Sequence, residues 1–331
     1  MFHHFYSNPP PEGHSHMTGQ LPLTTPANYG HKTFLYSESC NDLDHLEADI
    51  AFLGIPYGSP YAMANVANDQ STAPDAIRQV TDRAVRSLER YDFDLGGPIY
   101  DGTNVRLVDC GNVPGNMHDF ADHVARAETA VRKILAAGAR PLIAGGDHAI
   151  PIPVLQAFDS QDPITIVQID AHIDWRQEVN GETQGLSSVI RRASEMDHVG
   201  EIFQIGLRSS GSARNEDVEA AKAYGAHLIT AYELHDVGMK AILDRIPDNG
   251  RYYLTIDADG LDPSIMPAVE GPAPGGVNFP QMHTLIHGLV RKGDLVGMDI
   301  VEITPSRDLN RISLLTAARL FVNAIGAWVR S

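Results

Sequence analysis

The chain has 331 residues and a formal net charge of -17, from 42 acidic and 25 basic side chains, which argues against nucleic acid or an anionic membrane as partner and suits a small cationic one. Two cysteines make a disulfide framework improbable and fit a reducing cytoplasm, and the first residues show neither the basic region nor the apolar core of an export signal. No run approaches the roughly 18 consecutive apolar residues of a membrane span.

Residues 1–45 are rich in proline and histidine, with Pro9-Pro10-Pro11 and His3, His4, His14 and His16, and carry no sustained periodicity. We read them as an arm, disordered or laid on a neighbouring subunit, whose histidines belong to a solvated tail rather than to a metal site. From residue 46 to residue 331 no linker interrupts the pattern, so one domain is expected. Short apolar strands are predicted at 49–54, 105–110, 140–144, 163–169, 201–206, 226–229, 251–256 and 294–301. Amphipathic helices are predicted near 74–90, 119–138, 150–158, 187–196, 213–224, 231–245, 279–291 and 313–329. This alternation predicts a single-domain, three-layer α/β/α fold whose mostly parallel sheet of about eight strands is covered by helices on both faces. Motifs for nucleotide binding, serine hydrolysis and zinc ribbons are missing, as are repeats of solenoid length.

Chemistry-bearing residues gather at three strand ends: Gly145-Gly146-Asp147-His148, Asp170-Ala171-His172-Ile173-Asp174 and Asp257-Ala258-Asp259. Side chains two apart on a strand share a face, so Asp170, His172 and Asp174 converge, as do Asp257 and Asp259. Taken singly, the first stretch is a turn before a helix cap and the second a hydrogen-bonded loop. Together they crowd four carboxylates at emerging strand ends, where like charges repel unless cations neutralise them, and metal binding becomes the better reading. Open α/β sheets place their sites at this same carboxyl edge.

These stretches, together with Asp49-Ile50-Ala51-Phe52-Leu53-Gly54-Ile55-Pro56, Leu261-Asp262-Pro263, Pro274-Gly275-Gly276 and Val301-Glu302-Ile303-Thr304-Pro305, resemble the ureohydrolases, the arginase and agmatinase family, from about Ala48 to the C-terminus. The resemblance implies hydrolysis of a guanidino compound to urea and an amine at a two-manganese site. It places one ion on His148, Asp170, Asp174 and Asp257 and the other on Asp170, His172, Asp257 and Asp259, with Asp170 and Asp257 bridging. Donor chemistry agrees, because carboxylates with two imidazoles suit manganese, with nickel as the alternative, whereas thiolates suit zinc. Two such ions, about 3.5–4 Å apart, produce hydroxide near neutral pH for attack on the guanidinium carbon. Asp174 is the expected proton carrier and Glu302 the expected partner of the guanidinium. Assembly into a homo-oligomer, a trimer or hexamer, is implied in the same way.

One position departs from the family pattern. Agmatinase-like members carry a histidine ten positions after the last aspartate of Asp-x-His-x-Asp, where this chain has Gln184. Glutamine cannot carry a proton near pH 7, so either another group transfers it or Gln184 holds substrate differently. The loop WRQEVNGETQG at 175–185 also lacks the Thr/Ser/Asn run with which arginases recognise arginine, so arginine is a poor candidate. Trp175 and Arg176 are candidate substrate contacts, or else loop packing with a structural salt bridge. Agmatine-like, guanidino-acid and small-guanidine substrates stay open. Two other readings stand beside this one: a non-catalytic partner subunit in a hetero-oligomer with a related chain, motivated by Gln184, and a deacetylase-like amide hydrolase that shares the fold but keeps one zinc.

Overall fold

Continuous apolar runs such as Ile50–Ile55 and Ile164–Ile169 are what a parallel sheet buried on both faces requires. The computed structural model describes residues 22–26, 32–61, 69–115 and 119–331. Among the described residues there are nine strands: β1 (Glu38–Ser39), β2 (Ile50–Ile55), β3 (Leu107–Asn112), β4 (Arg140–Gly145), β5 (Ile164–Ile169), β6 (Val199–Leu207), β7 (His227–Thr230), β8 (Arg251–Asp257) and β9 (Asp294–Val301). They form one sheet in the order β1-β3-β2-β4-β9-β8-β5-β6-β7, and each neighbouring pair is parallel. The helices are α1 (Ala73–Gln79), α2 (Thr81–Ala84), α3 (Phe120–Ala136), α4 (Pro151–Gln156), α5 (Val189–Ala193), α6 (Asn215–Tyr224), α7 (Ala231–Val237), α8 (Met239–Leu243), α9 (Phe279–Lys292) and α10 (Ile312–Val329).

Alternation along the strands divides the core in two. Phe52, Leu142, Val167, Leu254 and Met298 face a layer containing α1 and α7 to α10. Their chain neighbours Leu53, Ile143, Ile166 and Tyr253 face α3, α4 and α5. Helix α3 buries Ala127, Ala130, Val131 and Ile134, one stripe at helical spacing. Helix α9 starts from a capping box in which Asn278 and Gln281 satisfy each other's main-chain N–H groups.

Several expectations shift. β1 is an additional strand, two exposed residues long, and so carries no apolar pattern to read. The helix expected over 74–90 ends at Ala84, where Val85 turns extended. The one expected over 231–245 breaks at Gly238, whose φ of 80° a helix cannot hold. Helix α10 is long and apolar enough by length and composition to cross a membrane, with a mean hydropathy of 1.6, although Ser313, Thr316, Arg319 and Asn323 interrupt its apolar run, in keeping with the expectation. It is 83% buried within the protein, and Trp328 near its end donates to the carbonyl of Leu295 at 2.9 Å. Of the expected arm, residues 1–21 and 27–31 lie outside the described residues, and His3, His4, His14 and His16 with them. Its later part is packed: Phe34 and Leu35 are fully buried, and Phe34 stacks on Phe52 with ring centres 4.4 Å apart. The packed body therefore begins ahead of residue 46.

Candidate metal centre

Four neighbouring strands at the middle of the sheet, β4, β9, β8 and β5, bring His148, Glu302, Asp257 and Asp170 to one carboxyl edge. Two glycines let these ends meet. A Cβ on Gly146 would lie 2.0 Å from the carbonyl oxygen of Pro56, and one on Gly260 would lie 2.5 Å from the main-chain nitrogen of Asp170. Asp174 and Glu302 both hold positive φ, 46° and 64°, an uncommon backbone for residues with side chains and one that clusters at functional sites. Surrounding bonds hold them there: the Asp174 carbonyl accepts from the amides of Ile190 and Arg191, and the Glu302 amide donates to Gly146 at 2.7 Å.

His148 is fully buried. Its Nδ1 lies 2.9 Å from Asp174 Oδ2, 3.1 Å from Asp257 Oδ2 and 3.2 Å from Asp170 Oδ2, yet it makes no hydrogen bond. Four donors thus crowd one point without bonding to each other, the arrangement of ligands around an ion. Asp170, His172 and Asp259 form a second group, with His172 Nδ1 3.3 Å from Asp259 Oδ2. Asp170 belongs to both groups, whereas Asp257, expected in both, falls in the first only.

Electrostatics show how much this crowding costs. Burial, then Asp174 and Asp257, hold the Asp170 carboxyl well above its ordinary range, and burial with Asp259 beside it pushes Asp257 up to about 6. Burial alone would lower His148, but three carboxylates outweigh it and raise the imidazole well above normal. His172 is raised to about 10, chiefly by its contact with Asp259. Glu302 is raised by burial, then by Asp257 and Asp147. A cluster of this kind gathers protons, and divalent cations relieve the same repulsion, so the residues present fit hard or borderline metal ions.

A supporting layer holds the donors. His148 Nε2 lies 3.1 Å from the Thr255 hydroxyl, Thr255 donates to Asp299 Oδ1 at 2.8 Å, and the Tyr253 hydroxyl donates to Asp299 Oδ2 at 2.8 Å. With Nδ1 turned to the carboxylates, this chain assigns the ring proton to Nε2. On β5, Gln168 donates to Asp170 Oδ2 at 2.6 Å and is itself held by Gln204. The sequence reading missed these residues, although a signal was available: Thr255 and Tyr253 precede Asp257 by two and four positions, and Gln168 precedes Asp170 by two, so each shares a strand face with a ligand.

A cavity of about 260 Å³ opens over the centre, lined by His172, Asp174, Asp257, Asp259 and Glu302 and walled by Ser187, Ser212, Val269 and Glu270 among others. Glu302 Oε1 accepts from the His148 amide at 2.8 Å, and Oε2 accepts from Gln70. The other expected substrate contacts do not line this cavity. Trp175 is only 1% exposed and packs against Tyr224, because an indole in this loop is apolar volume that the core takes up. Arg176 donates to the Ser212 carbonyl at 2.8 Å and pairs with Asp217 at 3.4 Å, which leaves the structural reading. The main-chain N–H of Gln184 donates to the Glu182 carboxylate at 2.6 Å.

A sequence model of the Arginase family matches residues 48–326. The guanidinopropionase of Pseudomonas aeruginosa is 34% identical over 224 residues, covering 65% of this chain and 69% of that protein. The guanidinobutyrase of the same species is 29% identical over 289 residues, 86% of each chain. The structure of proclavaminate amidino hydrolase from Streptomyces clavuligerus superposes with a TM-score of 0.79 at 23% identity, over 92% of this chain and 99% of that one, and so shares the fold.

Proposed function

The chain belongs to the arginase family, whose members here are hydrolases of carbon–nitrogen bonds, and from that premise we propose that it hydrolyses a guanidino compound other than arginine to urea and an amine. Its centre would hold two divalent ions, manganese first and nickel as the alternative. The observation that carries this reading is the overlap of two ligand groups at Asp170 beneath a cavity that Glu302 also lines. The second ligand group favours two ions over the single zinc of a deacetylase-like site.

Bound divalent cations supply an acidified water as nucleophile and positive charge for the tetrahedral stage of the reaction. The remaining tasks fall to side chains. Glu302 is fixed before substrate arrives, one oxygen held by the His148 amide and the other by Gln70, so that its carboxylate can orient the planar guanidinium by charge-assisted hydrogen bonds. Asp174 lines the cavity beside His148 and takes the proton that the attacking water loses. Water adds to the guanidinium carbon, the carbon–nitrogen bond breaks, and Asp174 returns the proton to the departing amine. Gln184 is not among the residues that line the cavity, and a glutamine cannot carry a proton near pH 7, so no proton relay is assigned to it.

The test is a urea-release screen of guanidine, alkylguanidines, guanidinobutyrate and agmatine, run with manganese and with nickel, alongside metal content. Urea from at least one compound and close to two ions per chain are expected. Silence across the panel, with activity only after a related chain is added, would favour the partner-subunit reading that Gln184 motivates. A cytoplasmic location and a trimeric or hexameric assembly accompany the proposal.

A further inference from the structure

The two cysteines of this chain meet across neighbouring strands, far from the metal centre in sequence. β1 pairs in parallel with β3, Glu38 opposite Val108 and Ser39 opposite Asp109, and the Cys40 amide donates to the Asp109 carbonyl at 3.0 Å. One further step of the same register sets Cys40 opposite Cys110. The alignment carries on past them, since a Cβ on Gly111 would lie 3.0 Å from Asn41 Oδ1. Both cysteines are free thiols.

Face agrees with register. On β3, Val108 and Cys110 belong to the core layer that contains the buried stripe of α3, whereas Leu107 belongs to the opposite layer and Asp109 bonds there to Arg78 of α1. Cys40 packs against the same α3 layer as Cys110. Neighbouring strands lie about 4.7–4.9 Å apart, within the roughly 4.4–6.8 Å between Cα atoms that a disulfide spans. A disulfide draws its Cβ atoms slightly closer than the strand spacing, and β1 can yield that distance because it is a two-residue strand at the edge of the described sheet.

Access gives the reaction an order. Cys110 is fully buried, and burial, then Asp109 beside it, keeps its thiol protonated. Cys40 is half-buried, its Sγ 3.3 Å from the Asp42 carbonyl, so a small oxidant reaches it first. We propose that Cys40 and Cys110 form a reversible disulfide when the protein meets a peroxide, a modification that fastens residues 33–46 to the sheet edge. The Cys40 thiolate attacks one peroxide oxygen, the O–O bond breaks, and hydroxide leaves and takes up the proton that Cys40 lost. The Cys110 sulfur then attacks the Cys40 sulfenic acid, the S–O bond breaks, and the Cys110 proton departs with that oxygen as water. Two thiols give up two electrons in all, and one peroxide becomes two waters. The segment so fastened is already aimed at this place, because the Phe34 amide donates to Asp109 Oδ2 at 2.8 Å.

The full-length protein, reduced and then freed of reductant, is treated with hydrogen peroxide, quenched with an alkylating agent and mapped by mass spectrometry without reduction. The expected product is a peptide pair joined at Cys40 and Cys110 within one chain, lost on adding dithiothreitol and in Cys40→Ser. The oxidised protein should melt at least about 3 °C above the reduced one, because the bridge closes a long loop of the unfolded chain. Peroxide that carries Cys40 to sulfinic acid and leaves Cys110 a thiol overturns the proposal, as does a bridge between two chains. A bridge that forms only after denaturant is added overturns it too, since the native register is then not what joins them. A native bridge without a rise in melting temperature overturns the fastening of residues 33–46.

Discussion

Replacing Thr255 with valine keeps the side-chain volume and removes only the hydroxyl that joins His148 to Asp299. His148, Thr255, Asp299 and Tyr253 are all fully buried, so neither His148 Nε2–H nor Asp299 Oδ1 can turn to water. A buried donor or acceptor left unpaired costs about 1–3 kcal/mol, and Asp299 keeps its bond from Tyr253, so the two losses together should destabilise the metal-free protein by about 3 kcal/mol. Loss of the partner that orients a metal-binding imidazole should also weaken metal affinity by about 10- to 100-fold. Denaturant unfolding of the chelator-treated protein measures the first effect, and calorimetric titration with manganese the second. Thr255→Ser retains the hydroxyl and should restore manganese binding to near the parent value. A valine variant within about 0.5 kcal/mol of the parent, with unchanged manganese affinity, would refute the relay.

Asp257→Ala removes an oxygen 3.1 Å from His148 Nδ1 and should abolish both metal retention and urea release; retained turnover would contradict the ligand assignment. Gly211→Ala would bring a Cβ to 2.2 Å from His172 Cδ2, forcing the ring aside, so metal content measured by mass spectrometry should fall towards one ion per chain. Chelation should lower the melting temperature, and added manganese should restore it in proportion to the logarithm of its free concentration. Arg78→Met leaves the Asp109 carboxylate, 1% exposed, without the guanidinium now 2.8 Å away, and should cost about 3–5 kcal/mol of stability with no change in metal content.

Much of the centre was legible before any coordinates. Both acidic stretches stand at strand ends as expected, Asp170 just after β5 and Asp257 closing β8, but the face shared by residues two apart does not extend past those ends: Asp259 lies on a 3-10 turn and falls in a different ligand group from Asp257. Strands alternating with helices, each strand a continuous apolar run, imply a parallel sheet with its chemistry at the carboxyl edge. The same spacing rule, applied one step backwards, reaches Thr255 and Gln168. Their partners were out of reach, because Asp299 faces Thr255 only through the pairing of β8 with β9.

Local pattern therefore placed the candidate ligands at the ends of their own strands, whereas the meeting of His148 with Asp170, Asp174 and Asp257 was decided by the fold. Tertiary structure alone decided that β4, β9, β8 and β5 stand side by side, that Trp175 serves the core and that Arg176 braces a loop. The reason is physical: face and period are set by backbone geometry within a few residues, whereas strand order and loop placement are set by burial and register between segments far apart in the chain.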